Sequence, residues 1–189
     1  MTVDLEEAMD VVATDSPLVN AVTNAVTVND VAQVILHWGG LPVMADDERE
    51  VGDMVAASEA CLLNMGTVSE TGETTMLAAG RAANEAGVPV VVDPVGAGST
   101  PTRDRVATRL VTELDVALLK GNHGEITSLT GDDAAGRGVE SVGAYRHTAT
   151  PAVACAPEHQ TVLVTSGETG VVAAARQWTK LEGEQSQTY

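Results

Sequence analysis

The stretch Val88-Pro89-Val90-Val91-Val92-Asp93 constrains this chain more than any other. Its apolar run has no polar alternation, so it does not read as a strand with one face in water. Such a run is buried on both faces, as in a parallel sheet covered by helices. Shorter apolar runs recur at 60–64 (ACLLN), 115–119 and 161–165 (TVLVT), and 170–175 adds one more. The segment SPLVNAVTN reads as a strand running into a loop.

Helical patterns fill the intervals. Leu5, Met9 and Val12 share one face of a helix over 5–12, and 71–86 is a long helix closed by Gly87. A further helix starts at Pro101 or Thr102 and runs to about Glu113. Asn29 is placed to cap a helix over 31–38, stopped by Gly39-Gly40. The acidic run 46–50 suits the opening of a helix reaching about Ser58, and GNHGEI turns into a helix ending at Gly131. Residues 131–143 are polar and Gly-rich, a surface loop. Strands alternating with helices through short turns predict one α/β domain with a mostly parallel sheet. The tail LEGEQSQTY has no periodicity and reads as disordered.

Composition narrows the function classes. With 27 acidic residues against 10 basic ones the net charge is −17, which disfavours nucleic acid and anionic membrane surfaces as partners. Acid in such excess suits a protein working in high salt, where screening removes self-repulsion. There is no Phe, and Val and Ala dominate the apolar set, so the core is built from small and β-branched side chains. The two cysteines, Cys61 and Cys155, form no C-x-x-C pair and the four histidines no H-x-x-x-H, which disfavours zinc and a disulfide scaffold. An acidic N-terminus and no apolar run of about 18 residues point to a cytoplasmic protein with no targeting or membrane segment.

In a parallel sheet, ligands bind beyond the carboxyl ends of the strands. Four segments sit there. In VVVDPVGAGST, Asp93 ends a buried strand and precedes a Gly-rich loop, which can hold Mg²⁺ while loop amides face phosphate oxygens; a plain turn explains it equally. In LLKGNHGEI, Lys120 and Glu125 flank a helix start, a cation for phosphate and a carboxylate for metal-held water. The same spacing, Asn122 to Glu125, is also nearly an ordinary capping box. NAVTNAVTVND fits a polar pocket wall or an Asn-capped loop. Met44, in GGLPVMADD, suits either a small-ring pocket or the core. Cys61 reads as an inert core thiol, and Cys155 has no His nearby in sequence to make it a nucleophile.

Together, NAVTNAVTVND, PVMADDEREV, LLNMGT, VPVVVDPVGAGST, LLKGNHGEI and VTSGE stand in the order and spacing of the hydroxyethylthiazole kinase family, and the chain resembles it from about Leu5 to Ala175. The resemblance implies a ribokinase-like α/β fold, a three-layer sandwich with a mostly parallel central sheet and helices on both faces. Its kinase domain would span 1–176, incomplete at the C-terminus, with 177–189 a disordered tail. The implied reaction is transfer of the ATP γ-phosphate to the hydroxyl of 4-methyl-5-(2-hydroxyethyl)thiazole, with Mg²⁺, in a homotrimer.

By the same resemblance Met44 and Asn24 line the thiazole pocket. Asp93 and Glu125 organise Mg²⁺, and Lys120, Asn122 and Thr165 serve ATP. Lys120 stands where the family has Arg, which keeps the charge and loses the bidentate fork; Ser166 replaces a Gly. Family members continue for roughly 80 residues more, a length ordinary domains permit, beginning with a Gly-Thr-Gly-Cys anion-hole stretch that QWTKLEGEQSQTY does not match. No catalytic residue is therefore assigned, and impaired turnover is expected of these 189 residues. Two other readings are a non-catalytic remnant that keeps the thiazole or nucleotide pocket, and another ribokinase-like activity such as a nicotinamide-cofactor hydrate dehydratase.

Overall fold

The computed structural model describes residues 5–130, 161–167, 170–174 and 177–181. The chain divides into two compact units, Met1–Val90 and Val91–Tyr189.

The first unit holds α1 (Leu5–Asp15), β1 (Leu18–Val22), α2 (Val28–His37), β2 (Leu41–Val43), α3 (Val51–Ala56), β3 (Ala60–Asn64) and α4 (Glu70–Ala86). Strand β1 pairs in parallel with β2 on one side and β3 on the other, with Asn20 opposite both Val43 and Cys61. All three strands therefore end at one edge. The core is small-residue material, as the composition requires: Val51 and Val55 of α3, Cys61 and Leu63 of β3, and Ala79 and Ala83 of α4 are fully buried. Helix α3 packs beside α4 at Gly52, where a Cβ would meet Ala82 Cβ at an ordinary 3.7 Å. Helix α4 is closed at both ends by its sequence. Ser69 Oγ accepts the Gly72 N–H at 3.0 Å, and Gly87 takes the left-handed conformation, φ 72°, that ends a helix.

The second unit holds all but the first residue of β4 (Val90–Asp93), then α5 (Pro101–Glu113), β5 (Leu118–Asn122), α6 (His123–Thr130), β6 (Val162–Ser166), β7 (Gly170–Ala174) and β8 (Gln177–Leu181). Strands β4, β5 and β6 run parallel, and β7 and β8 add antiparallel partners. Val106, Ala107 and Leu110 of α5 are buried, as are Ile126 of α6 and Leu163 of β6. No helix among the described residues is long and apolar enough to cross a membrane.

The mostly parallel α/β architecture is the one expected, with local shifts that have physical causes. Strand β5 begins at Leu118, three residues later than the apolar run 115–119 suggests. The lead-in is tied to the neighbouring chain instead: Thr161 Oγ1 donates to Val116 O at 2.7 Å and Val162 N–H to Ala117 O at 2.8 Å. Pairing of 118–122 with 162–166 then holds Lys120, Gly121 and Asn122 in a strand their propensities do not favour.

Helix α3 begins at Val51, not in the acidic run. Asp47 makes a turn first, its Oδ1 accepting from Arg49 N–H at 2.9 Å and its C=O from Val51 N–H. The Arg49 guanidinium bonded to Asp47 holds that carboxyl well below its ordinary range. Helix α2 starts at Val28 without a side-chain cap from Asn29; Asn24 serves the turn before it. Residues 177–181 form strand β8 where the sequence reads as a structureless tail, because a strand partner in β7 supplies the hydrogen bonds that periodicity did not announce. The loop 131–143, Cys155 and residues 182–189 lie outside the described residues.

Candidate active site

In the second unit the strand ends gather five of the seven site residues the sequence singles out. Asp93 is the last residue of β4. Val91 lies opposite Leu118 and Val92 opposite Leu119, which brings Lys120 of β5 beside Asp93. The Lys120 Nζ stands 3.6 Å from Asp93 Oδ2, with the lysine side chain 45% exposed and the aspartate 19%. The lysine end of the pair is open to solvent, and the carboxylate end is largely buried. Thr165, buried on β6, faces Gly121 across the parallel ladder, and Asn122 ends β5.

Glu125, nine-tenths buried in the first turn of α6, accepts two main-chain N–H groups. Its Oε2 takes Asn122 N–H at 2.8 Å, and Asn122 Oδ1 takes Glu125 N–H at 2.9 Å. This reciprocal pair is a capping box, so the structural reading of N-x-x-E holds. The second carboxylate oxygen reaches further: Oε1 accepts Gly96 N–H at 2.8 Å from the loop after β4.

That loop corrects one expectation. Its amides do not face outward as a phosphate cradle, because each is engaged inside the chain. Val95 N–H donates to Asp93 O, Ala97 N–H to Pro94 O and Ser99 N–H to Gly96 O. Gly98 N–H donates to Asp104 Oδ1 at 2.6 Å. Arg103 Nη1 holds the Val95 carbonyl at 2.6 Å. Gly96 and Gly98 adopt φ of 78° and 87°, the left-handed conformation this tight loop requires. The loop is a strap tied at every amide from Val95 to Ser99. Its glycines serve the backbone conformation.

Carboxylate oxygens are the hard donors Mg²⁺ takes, usually one or two of them with several waters retained. Asp93 and Glu125 fit that chemistry. Each Glu125 oxygen accepts one amide proton and keeps a second lone-pair site for metal-held water. No cluster of three or more His, Cys, Asp or Glu side chains placed to hold a metal occurs among the described residues.

In the first unit, Asn24 follows β1, Met44 follows β2, and Asn64 ends β3, all at the shared carboxyl edge. Met44 is half-buried. Asn24 is 8% exposed and works on its own chain: its Oδ1 accepts Val26 N–H at 3.0 Å and Thr27 N–H at 3.1 Å. Its Nδ2 donates to Thr27 Oγ1 at 2.9 Å and to Asn64 Oδ1 at 3.4 Å. Asn64 Oδ1 also accepts Gly66 N–H at 2.9 Å. With its amide thus engaged, Asn24 holds the turn that follows β1.

Sequence reasoning flagged the segment that opens at Asn20 without singling that residue out, and it missed the parts of Asn64, Arg103 and Asp104. Asn20 is fully buried on β1; its Nδ2 donates to Ala45 O at 3.4 Å, next to Met44, and its Oδ1 has no hydrogen-bond partner among the described residues. An Asn inside the apolar run LVNAV was the available signal, since a buried unmade hydrogen bond is costly. Cys61 is the inert core thiol expected, fully buried, with burial pushing its pKa up to about 12.

Comparisons with known proteins place the chain in a family. A relative from Natronomonas pharaonis named hydroxyethylthiazole kinase is 64% identical over 172 residues, covering 91% of this chain and 62% of its own length. One of the same name from Haloquadratum walsbyi is 61% identical over 160 residues, 85% of this chain and 56% of its own. The solved structure of the hydroxyethylthiazole kinase protein from Pyrococcus horikoshii OT3 superposes with a TM-score of 0.80 at 34% identity, covering 92% of this chain and 65% of that one, and shows the ribokinase-like α/β fold. The chain thus spans about three-fifths of the length of these curated relatives. The model of the hydroxyethylthiazole kinase family matches residues 9–187, and the chain belongs to that family.

Proposed function

We propose that the protein transfers the γ-phosphate of ATP to the hydroxyl of 4-methyl-5-(2-hydroxyethyl)thiazole, as a cytoplasmic enzyme of thiamine salvage. The observation that carries the reading is the convergence of Asp93, Lys120, Glu125 and Thr165 at the carboxyl ends of β4, β5 and β6. Family membership supplies the substrate class.

Phosphoryl transfer asks a protein for positioning and for stabilisation of developing negative charge, with little covalent chemistry. Asp93 and Glu125 would hold Mg²⁺ and its waters. When bound, the metal neutralises charge on the β- and γ-phosphates. Lys120 swings from Asp93 to a phosphate oxygen as a point charge, and Thr165 offers its hydroxyl to the phosphate chain. Asn122 keeps Glu125 in place through the capping box. On the first unit, Met44 presents its backbone to the thiazole ring, and Asn24 shapes the pocket wall. Helix α2 supports assembly into a homotrimer: none of its residues is buried, and Val34 and Leu36, with Trp38 just beyond, stand about half exposed.

Calorimetric titration tests the reading. Saturable binding of the thiazole alcohol and of ATP with Mg²⁺ is expected, the latter lost in Asp93→Asn. Tighter binding of the hydroxymethylpyrimidine alcohol or of a nicotinamide-cofactor hydrate than of the thiazole would overturn it.

A further inference from the structure

The strap 94–99 contains one peptide group that two charged side chains share. The carbonyl of Val95 accepts from Arg103 Nη1 at 2.6 Å. The N–H on the other side of the same peptide bond, that of Gly96, donates to Glu125 Oε1 at 2.8 Å. Arg103 leaves the first turn of α5, and Glu125 belongs to the first turn of α6, so this single peptide unit links two helix starts. A cation on the oxygen and a carboxylate on the proton polarise the peptide in the same direction, which strengthens both bonds.

The geometry is shaped for the guanidinium. A Cβ on Gly96 would lie 3.1 Å from Arg103 Cδ and from Nη1, and the φ of 78° at Gly96 disfavours any side chain there. The neighbouring amide of Gly98 has its own holder, Asp104, so Arg103 and Asp104 act on different peptide groups of one loop. One residue before Val95–Gly96, the chain is still attached closely to β4, with Val95 N–H donating to Asp93 O at 2.9 Å.

We propose that Arg103 is a positioning residue for the metal-binding pair: through the Val95–Gly96 peptide it fixes the Glu125 carboxylate and the segment that follows Asp93. The proposal rests on the kinase reading for its consequence, and on the hydrogen bonds alone for the link from Arg103 to Glu125. Residues that orient metal ligands in this way typically alter metal affinity about ten- to a hundredfold when removed.

Two variants test it, Arg103→Met, which keeps the stem and removes the donors, and Arg103→Lys, which keeps a cation. The first readout is amide hydrogen exchange by NMR on the full chain. Gly96 exchange is expected to rise about tenfold or more in Arg103→Met, the signature of a loosened bond from Gly96 N–H to Glu125, with Gly98 as the internal control. The second is ATP binding by calorimetry, with Mg²⁺ titrated and with Mg²⁺ absent. The Mg²⁺ concentration for half-maximal ATP binding is expected to rise about ten- to a hundredfold, while metal-free ATP affinity changes less than about twofold. Arg103→Lys is expected to fall between the two proteins, and it serves alone should Arg103→Met fail to fold.

Unchanged Gly96 exchange overturns the proposal. So does an equal loss of ATP affinity with and without Mg²⁺, which would make Arg103 a direct phosphate contact. Absence of Mg²⁺-dependent ATP binding in the unsubstituted protein would refute the kinase reading instead, and Gly96 exchange would still decide the link.

Discussion

Replacing Gly66 with alanine places a methyl group inside the knot formed by Asn24, Asn64 and Gly66. A Cβ at this position overlaps Asn24 Nδ2 and lies 3.0 Å from both Asn24 Cγ and Asn64 Oδ1. Asn24 has little room to give, because its Oδ1 accepts the N–H groups of Val26 and Thr27 and its Nδ2 donates to Thr27 Oγ1. Overpacking of this kind costs about 1–3 kcal/mol. Displacing Asn24 strains three further hydrogen bonds, each worth about 0.5–1.5 kcal/mol net, of which water replaces part. The sum is about 2–5 kcal/mol. For a chain of this size a kilocalorie moves Tm by about 2–4 °C, so Gly66→Ala is expected to lower Tm by about 4–20 °C.

Thermal unfolding followed by circular dichroism measures this directly. Gly52→Ala is the control: its Cβ would meet Ala82 Cβ at an ordinary 3.7 Å within α3, and a stabilisation of about 0.5–1 kcal/mol is expected. The same Gly66→Ala protein is expected to bind the thiazole alcohol more weakly, with Mg²⁺-ATP binding kept. A Gly66→Ala protein as stable as its parent, or less stable by no more than Gly52→Ala shifts it, would refute the reading of Asn24 as the hub of that turn.

Other consequences follow from the same bonds. In Glu125→Gln the new amide turns a donor toward either Gly96 N–H or Asn122 N–H, and loss of a charge-assisted bond costs about 1.5–3 kcal/mol; chemical denaturation is expected to show it, and an unchanged midpoint would argue against the double attachment. Cys61, in a Cys155→Ser background, is expected to resist a thiol reagent at pH 8.5 until denaturant is added, because burial raises its pKa to about 12. The sign for stability follows: this group favours the native state below about pH 8.5, the ordinary thiol value, and that contribution fades as pH rises through the folded-state value. Tm is expected to rise between low and molar salt, since a net charge of −17 repels itself unless screened; a flat or falling Tm would contradict salt adaptation.

What could be read before any coordinates was what depends on near neighbours in sequence. Helix α4 carries its own signals, Ser69 three residues ahead of the N–H it accepts and Gly87 just past the end. Strand β3 is a short apolar run with turn residues beyond it, and it falls where the pattern puts it. Asp93, Lys120 and Glu125 were legible for the same reason, as charged residues stationed next to the ends of apolar runs.

What escaped the sequence depends on partners far along the chain. The frame of β5 is set by residues 162–166, more than 40 positions away. Glu125 reaches Gly96 across 29 positions, so nothing local shows that the glycine amides are already engaged. Asn24 resembles a ligand-facing residue in its own segment, and only Asn64 and Gly66 across the sheet reveal it as a structural hub. Arg103 and Asp104 read as ordinary charges on an amphipathic helix until their side chains are seen folding back on the loop.

The most direct test of the central claim follows the phosphorus atom. The protein is incubated with Mg²⁺, ATP labelled at the γ-phosphate and 4-methyl-5-(2-hydroxyethyl)thiazole, and the alcohol is examined by mass spectrometry. Label on the hydroxyethyl oxygen is expected, however slowly it accumulates, with none in the absence of Mg²⁺ and none in Asp93→Asn. No labelled alcohol from a protein shown to bind both substrates, or labelling that survives Asp93→Asn undiminished, would contradict the assignment of this edge of the sheet to phosphoryl transfer.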